Sequence, residues 1–171
     1  MGLSVATVNM MEHSVRFGGT VPHDVEMRLS MAAASYRDAK TTEVLLLDAQ
    51  ALDPTCLPVY FALYKFYFYR ARLAEAEHIT LQALVAAARQ AGFCEEWRQL
   101  TPDTANWAAT GEPQHFYLFS LKALAFIRLR RGSGDEARTI LAKLAELDPA
   151  DTVGASVISA LATATAGAEA Q

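Results

Sequence analysis

Apolar positions along the chain recur at helical spacing in paired runs. Val25, Leu29, Met31, Ala32 and Ala33 form the first run, and Val44, Leu45, Leu47, Ala49 and Leu52 the second. That period puts each set on one face of a helix. Polar residues around Asp38 to Thr42 join the runs, so the pair reads as a helical hairpin. Asp53-Pro54 stops it, because proline lacks an amide and restricts the residue before it. The unit then recurs. Thr55 is placed to cap a helix, and Pro58 suits its first turn, where amides have no intrahelical partner. That helix is expected from Val59 to about Ala71, with a partner from Ala74 to about Gln90. A third pair opens near Gln114 and runs to Arg131, with Gly132 just past its end. Ser133 and Glu136 stand at capping-box spacing ahead of a helix to Leu147. Asp148-Pro149 closes it, and Asp151 can cap a last helix whose apolar stripe is Val153, Val157, Ile158 and Leu161.

Two segments lie outside this pattern. Residues 1–22 carry Gly18-Gly19 and Pro22 without steady periodicity and read as a flexible arm. Residues 91–117 form an insertion that holds both tryptophans, Trp97 and Trp107. Its aromatic residues are expected to pin it against the helices, or it flanks a binding surface as a specificity segment.

Composition narrows the function. The 171 residues are 52% hydrophobic with a formal net charge of −4, which suits one domain with a well-filled core and excludes a disordered chain. Fifteen Lys and Arg against nineteen Asp and Glu create no positive field for a phosphate backbone, so nucleic acid is not the expected partner. Cys56 and Cys94 are too few for a disulfide scaffold and read as buried free thiols. The first residues lack a secretory pattern, and the uncharged stretch Thr152–Ala168 is too short and too polar to span a bilayer, so a cytoplasmic location is expected. His13, His23, His78 and His115 show no metal-ligand spacing, and no C-x-x-C pair or phosphate-binding glycine loop occurs. The expectation is no metal, no cofactor and no catalysis.

Leu52-Asp53-Pro54 and Leu147-Asp148-Pro149 each close a helix pair rich in alanine and leucine. This pattern resembles the tetratricopeptide repeat, a unit of about 34 residues. Aligned on the prolines, the repeats fall at 23–56, 57–90 and 118–151, with a capping helix at 152–166. The third matches best, through Leu121, Leu124, Ala125, Ala137, Leu141 and Pro149, although Arg128 replaces the usual aromatic residue. The second keeps Tyr60, Leu63, Tyr67, Ala76 and Ala83, but has Tyr64 for a small residue and Ala88 for the proline. The first keeps Leu29, Ser30, Leu46, Ala49 and Pro54, with Glu26 and Ala33 at aromatic positions.

The resemblance implies an all-α fold of antiparallel hairpins in a short right-handed superhelix of about seven helices. Small residues, Ala125 with Ala137 and Ser30 with Thr42, would let paired helices approach closely. The first helices of the repeats would line a concave partner-binding face. Carried onto this chain, that face comprises Phe61, Lys65, Phe68 and Tyr69, then Phe119, Lys122, Phe126 and Arg130, and in the first repeat Met27, Arg28, Met31 and Ala34. Such a face suits a protein or peptide segment with apolar anchors and some acidic residues. The carboxylate-clamp subtype is disfavoured, because the only asparagines are Asn9 and Asn106. Arg128, Arg130 and Arg131 suit the end of a helix dipole or a contact with an acidic or phosphate group.

The function implied is a non-catalytic interaction module, an adaptor or scaffold. In size, acidity and three-repeat layout the chain also resembles bacterial secretion chaperones. Tyr64-Lys65-Phe66-Tyr67 and the stretch from Phe116 to Arg131 are similar to small repeat proteins that accompany bacterial nitrogen-fixation systems. A third expectation is a homodimer joined through an exposed edge of the aromatic run Val59 to Tyr69.

Overall fold

The computed structural model describes residues 20–169, with side chains to residue 164. Among the described residues seven α-helices follow one another, each antiparallel to its neighbour, and no strand occurs. They are α1 (His23–Ala34), α2 (Ala39–Leu52), α3 (Leu57–Tyr69), α4 (Leu73–Ala91), α5 (Pro113–Arg130), α6 (Gly134–Leu147) and α7 (Ser156–Glu169). The flexible arm expected over residues 1–22 lies outside the described residues except at its end, where Val21 packs against the core.

Caps set the boundaries. Asp38 accepts the amides of Lys40 and Thr41 at 3.1 and 3.2 Å, so α2 starts ahead of its first apolar residue. Thr55 does not cap α3. Its amide and hydroxyl both turn back to the Asp53 carboxylate, at 2.9 and 2.6 Å, leaving Cys56 at the cap position. The capping box at Ser133 and Glu136 does not form either: the Ser133 hydroxyl makes no cap bond, and Glu136 pairs with Arg128 at 3.0 Å. The charge-assisted contact to a neighbouring helix displaces the local one.

Before α7, Asp148 accepts the amides of Thr152 and Val153 at 3.0 and 3.1 Å, and Asp151 accepts that of Ser156 at 3.1 Å. These bonds hold the chain in turns to residue 155, so the last helix begins at Ser156 rather than residue 152. The shift splits the expected stripe. Val153 is buried in the turn, Ile158 is half-buried, and Val157 and Leu161 face solvent, while Ala155 and Ala162 are buried instead.

Packing follows small residues. Ala125 on α5 and Ala137 on α6 are fully buried, as close approach of that pair requires. Thr42 is buried too, its hydroxyl satisfied by the carbonyls of Ser35 and Asp38. Ser30, its expected partner, is exposed. It lies about 200° around α1 from Ala32, and α1 turns Val25, Ala32 and Ala33 inward instead. The aromatic helix α3 is buried on several sides, from Leu57 to Leu63 and again at Phe66 and Tyr67. Helix α4 lies against both α3 and α5 and buries Ala76, Thr80, Ala83 and Ala87.

The first five residues of α5 come from the insertion, and its remainder folds onto α5 and α6. Trp97, Leu100 and Trp107 are buried. Phe93 contacts Trp107 at 5.3 Å and meets Tyr117 edge-on at 5.1 Å. The Trp107 indole donates to the Thr101 carbonyl at 3.0 Å, and Lys143 of α6 donates to the Leu100 carbonyl at 3.0 Å. The insertion carries Cys94 outward on its first turn, so this thiol is exposed, contrary to expectation. Cys56 is buried, and burial pushes its pKa up.

Charged ties cross the helices. Glu77 of α4 pairs with Arg128 of α5 at 3.2 Å and with Arg131 just beyond it. Glu43 of α2 pairs with Arg72 at 2.8 Å and accepts the Tyr67 hydroxyl of α3 at 2.9 Å. Burial first, then the Glu43 bond, push the Tyr67 pKa to about 12.

Three outcomes are expected. Glu77→Gln removes the less exposed of the two carboxylates on Arg128, leaving Glu136, takes the partner of Arg131 as well, and lowers unfolding stability by about 1–2 kcal/mol, measured by urea denaturation. Trp107→Ala empties the seam between insertion and α5 and costs about 3 kcal/mol in the same assay. The third concerns acid. The Arg72 bond holds Glu43 below its ordinary pKa, and the Ser156 hydroxyl bond does so for Asp151. Their stabilisation is present above the unfolded pKa values and is lost as pH falls through the depressed folded ones. The thermal midpoint therefore drops below about pH 4, and Glu43→Gln and Asp151→Asn flatten that drop.

Candidate functional site

Helices α3 and α5 lie side by side in front of α4. Their aromatic residues meet in two places. Phe61 and Phe119 stand 5.3 Å apart between ring centroids, and Phe68 and Phe126 stand 5.1 Å apart. On both helices the second ring follows the first by seven residues, which is two helical turns, so the two contacts repeat in register. Tyr64 links them along α3, edge-on to Phe61 at 6.2 Å and tilted on Phe68 at 6.0 Å.

Cations cover the rings. The Lys65 ammonium sits 4.5 Å from the centre of Phe61, Lys122 sits 4.7 Å from that of Phe119, and the Arg130 guanidinium sits 5.8 Å from that of Phe68. Such contacts contribute about 0.5–2 kcal/mol each, more as water is excluded. None of these three cations is ion-paired with a carboxylate among the described residues. By contrast Arg72, Arg128, Arg131 and Lys143 each lie within ion-pair distance of one. Burial lowers the pKa of both lysines; for Lys65 the nearby Lys122 adds to it, and for Lys122 the Asp151 carboxylate opposes it. Lys122 also donates to the Val153 carbonyl of the loop before α7.

All eight sequence-predicted residues of α3 and α5 are thus brought to one face, in different roles. Phe61 is only 2% exposed and forms the floor. Phe68, Phe119 and Phe126 are half-buried, while Arg130 and Tyr69 are exposed, Tyr69 at 61%. On α1, Met27, Met31 and Ala34 are exposed and Arg28 is half-buried, but no ring or cation contact joins them to the α3 and α5 rings. The arginine cluster divides: Arg128 and Arg131 are spent on Glu77, and Arg130 alone turns to the rings.

Sequence reasoning missed Tyr64 and His115. Tyr64 occupies a place where a small residue was expected, and burial pushes its hydroxyl pKa up. His115, one turn before Phe119, has a buried Nδ1 with no hydrogen-bond partner among the described residues. Burial and the neighbouring Lys122 lower its pKa against the pull of Asp148. A concavity of about 840 Å³, unforeseen, lies between α2 and α4, lined by Leu47, Ala51, Leu81 and Val85 together with His78 and Arg89. Gln50 and Gln82 bridge it at 3.0 Å. Its signal was the outward leucines of the second helices, Leu47 and Leu81.

Among the described residues, no cluster of three or more His, Cys, Asp or Glu could hold a metal ion, and no helix is long and apolar enough to cross a membrane.

No protein-family model and no solved structure matches the chain. It is similar to the uncharacterized 19.8 kDa protein in the nifW 5′ region of Azotobacter chroococcum mcd 1, with 31% identity over 131 residues, 74% of this chain and 72% of that protein. With that identity over most of both chains, the protein belongs to the same family as the Azotobacter 19.8 kDa protein.

Proposed function

We propose that the protein is a non-catalytic interaction module that holds a segment of a partner protein on the shared face of α3 and α5. One observation carries this reading: three cations stand over a paired aromatic surface, none of them within ion-pair distance of a carboxylate among the described residues, with Asp151 acting on Lys122 from farther off. Aromatic residues and arginine are the side chains that anchor protein interfaces. The hairpin order and the buried Ala125 and Ala137 support a tetratricopeptide-like arrangement, in which this face is the concave one.

A chaperone or assembly factor for a client protein is a second reading, with a cytoplasmic location. The relative in a nifW 5′ region favours a client that belongs to a nitrogen-fixation system. A homodimer joined through Tyr69 and its neighbours is the structural alternative, since Tyr69 is largely exposed. Light scattering across a concentration series separates it from a monomeric module.

A photo-crosslinking residue at position 69 or 126 is expected to capture a partner in the native host, while one at Val44, exposed on α2, captures none. Lys122→Glu with Phe126→Ala is expected to abolish capture with the circular dichroism spectrum unchanged. Capture that survives both changes places the partner elsewhere, the α2/α4 concavity being the next surface to probe.

A further inference from the structure

We propose that the hollow between α2 and α4 docks an extended, uncharged aliphatic peptide segment, one peptide group of which seats on the Gln50–Gln82 bridge. The hollow shares none of its lining with Lys65, Lys122, Arg130 or the rings they cover, so the proposal stands apart from the reading of the α3/α5 face. Its walls are Leu47 and Ala51 of α2 with Leu81, Val85 and Ala86 of α4, over Tyr60 of α3. Past the bridge lies a smaller hollow of about 360 Å³, which shares Leu47 and both glutamines and adds Ala74, Ile79 and Tyr67. The two form one furrow beside α4 from Ala74 to Gln90, about 24 Å of helix. Leu47 and Leu81 are each 41% exposed, so an apolar occupant gains by covering them.

The bridge selects the backbone. A side-chain amide has two donors and one acceptor oxygen. Gln50 gives one donor to the Gln82 oxygen at 3.0 Å, and its amide also acts on the Tyr60 hydroxyl. Gln82 gives one donor to His78 Nε2 at 3.1 Å; an amide nitrogen cannot accept, so His78 takes this bond as a neutral ring. The Gln50 oxygen and one N–H of Gln82 are left, with no hydrogen-bond partner among the described residues. An acceptor and a donor on adjoining amides complement a peptide group, which offers one N–H and one C=O. A helix has spent those groups on its own ladder, whereas an extended segment presents them. A hydrocarbon chain pairs with neither.

The rim selects against charge. Arg89 is held by Glu95 at 2.8 Å, and Glu75 by Arg72 at 2.8 Å. At the α3 end Gln90 donates to the Thr55 carbonyl. A charged side chain entering the furrow therefore loses water and meets only groups that already have partners, while an aliphatic one meets its like.

The test titrates the full chain, labelled with nitrogen-15, with the capped peptide acetyl-Leu-Ser-Val-Ser-Leu-amide, whose apolar residues share one face of an extended chain. Saturable shifts are expected at the backbone amides of Leu47, Leu81 and Val85 and at the side-chain amides of Gln50 and Gln82. Methylating the peptide nitrogens is expected to weaken binding at least about fivefold, the scale of one hydrogen bond. Replacing the central valine by aspartate weakens it by at least as much. Gln50→Leu with Gln82→Leu is expected to weaken the peptide about fivefold while 1-decanol binds as well as before or better. Lys65→Gln with Lys122→Gln leaves peptide binding unchanged, which separates this site from the α3/α5 face.

Shifts that do not saturate, or that fall on α3 and α5 instead, overturn the site. Equal affinity for the methylated or the aspartate peptide, or for the double leucine variant, overturns the peptide chemistry. Decanol binding that excludes the peptide at lower concentration marks the hollow as a hydrocarbon site and overturns the proposal too. So does a dimer in sedimentation equilibrium that Leu81→Asp dissociates, because a second copy then covers the furrow.

Discussion

The close packing of α4 between α3 and α5 governs the rest of the structure. Ala76, Thr80, Ala83 and Ala87 give α4 little side-chain bulk where it meets its neighbours, so the helix axes approach and dispersion contacts are dense. Only at that distance do α3 and α5, which share α4 as a backing, bring Phe61 to Phe119 and Phe68 to Phe126. The insertion does not interrupt this packing, because it leaves α4 at Gly92, whose φ of +78° turns the chain away, and returns through α5 itself. Trp107 then packs beside Tyr117 of α5, with ring centroids 6.4 Å apart. The seam is locked electrostatically by Glu77, held by Arg128 and Arg131 from the far end of α5.

Much of this was legible in the sequence. Helical periods, Asp-Pro stops and alanines specify seven helices and their order, because burial of an apolar face depends mainly on spacing. Caps were harder. Thr55 and Ser133 satisfy the local rule for a cap, yet Asp53 and Arg128 draw away the groups on which it depends, and those competitors act through the folded arrangement. Asp148 and Asp151 act in series, so two residues with identical short-range preferences together move the start of α7. The residues of the ring face were named through the repeat resemblance, which carries the same positions onto both helices. The buried floor at Phe61 was not, because it depends on how closely α5 approaches. Nor was the α2/α4 concavity, which arises from a gap between elements.

The two surfaces differ in kind. The hollow between α2 and α4 is lined by aliphatic side chains together with polar ones, His78 and Arg89 among them, and the Gln50 and Gln82 amides bridge it. The α3/α5 face carries oriented charge over polarisable rings. Surfaces of the second type discriminate among partners, since a wrong charge there costs more than a poor fit.

Stability alone does not account for Lys65 and Lys122 on that face. Burial depresses the pKa of both, so the folded chain disfavours their charged forms relative to the unfolded chain. By linkage, the protonated lysines lower stability at all pH below their folded pKa values, and that deficit fades only as pH rises toward about 10.4, the unfolded value. Leucine or methionine at position 65 would pack on the same ring without this cost, whereas Lys122 recovers part of it from the Val153 carbonyl and Asp151. A fold that keeps ammonium groups where packing favours hydrocarbon has a local conflict with its own stability, and such conflicts mark the places where a chain is built for something outside itself. Under the proposed partner-binding reading, that charge would favour an anionic partner over a neutral one of equal shape.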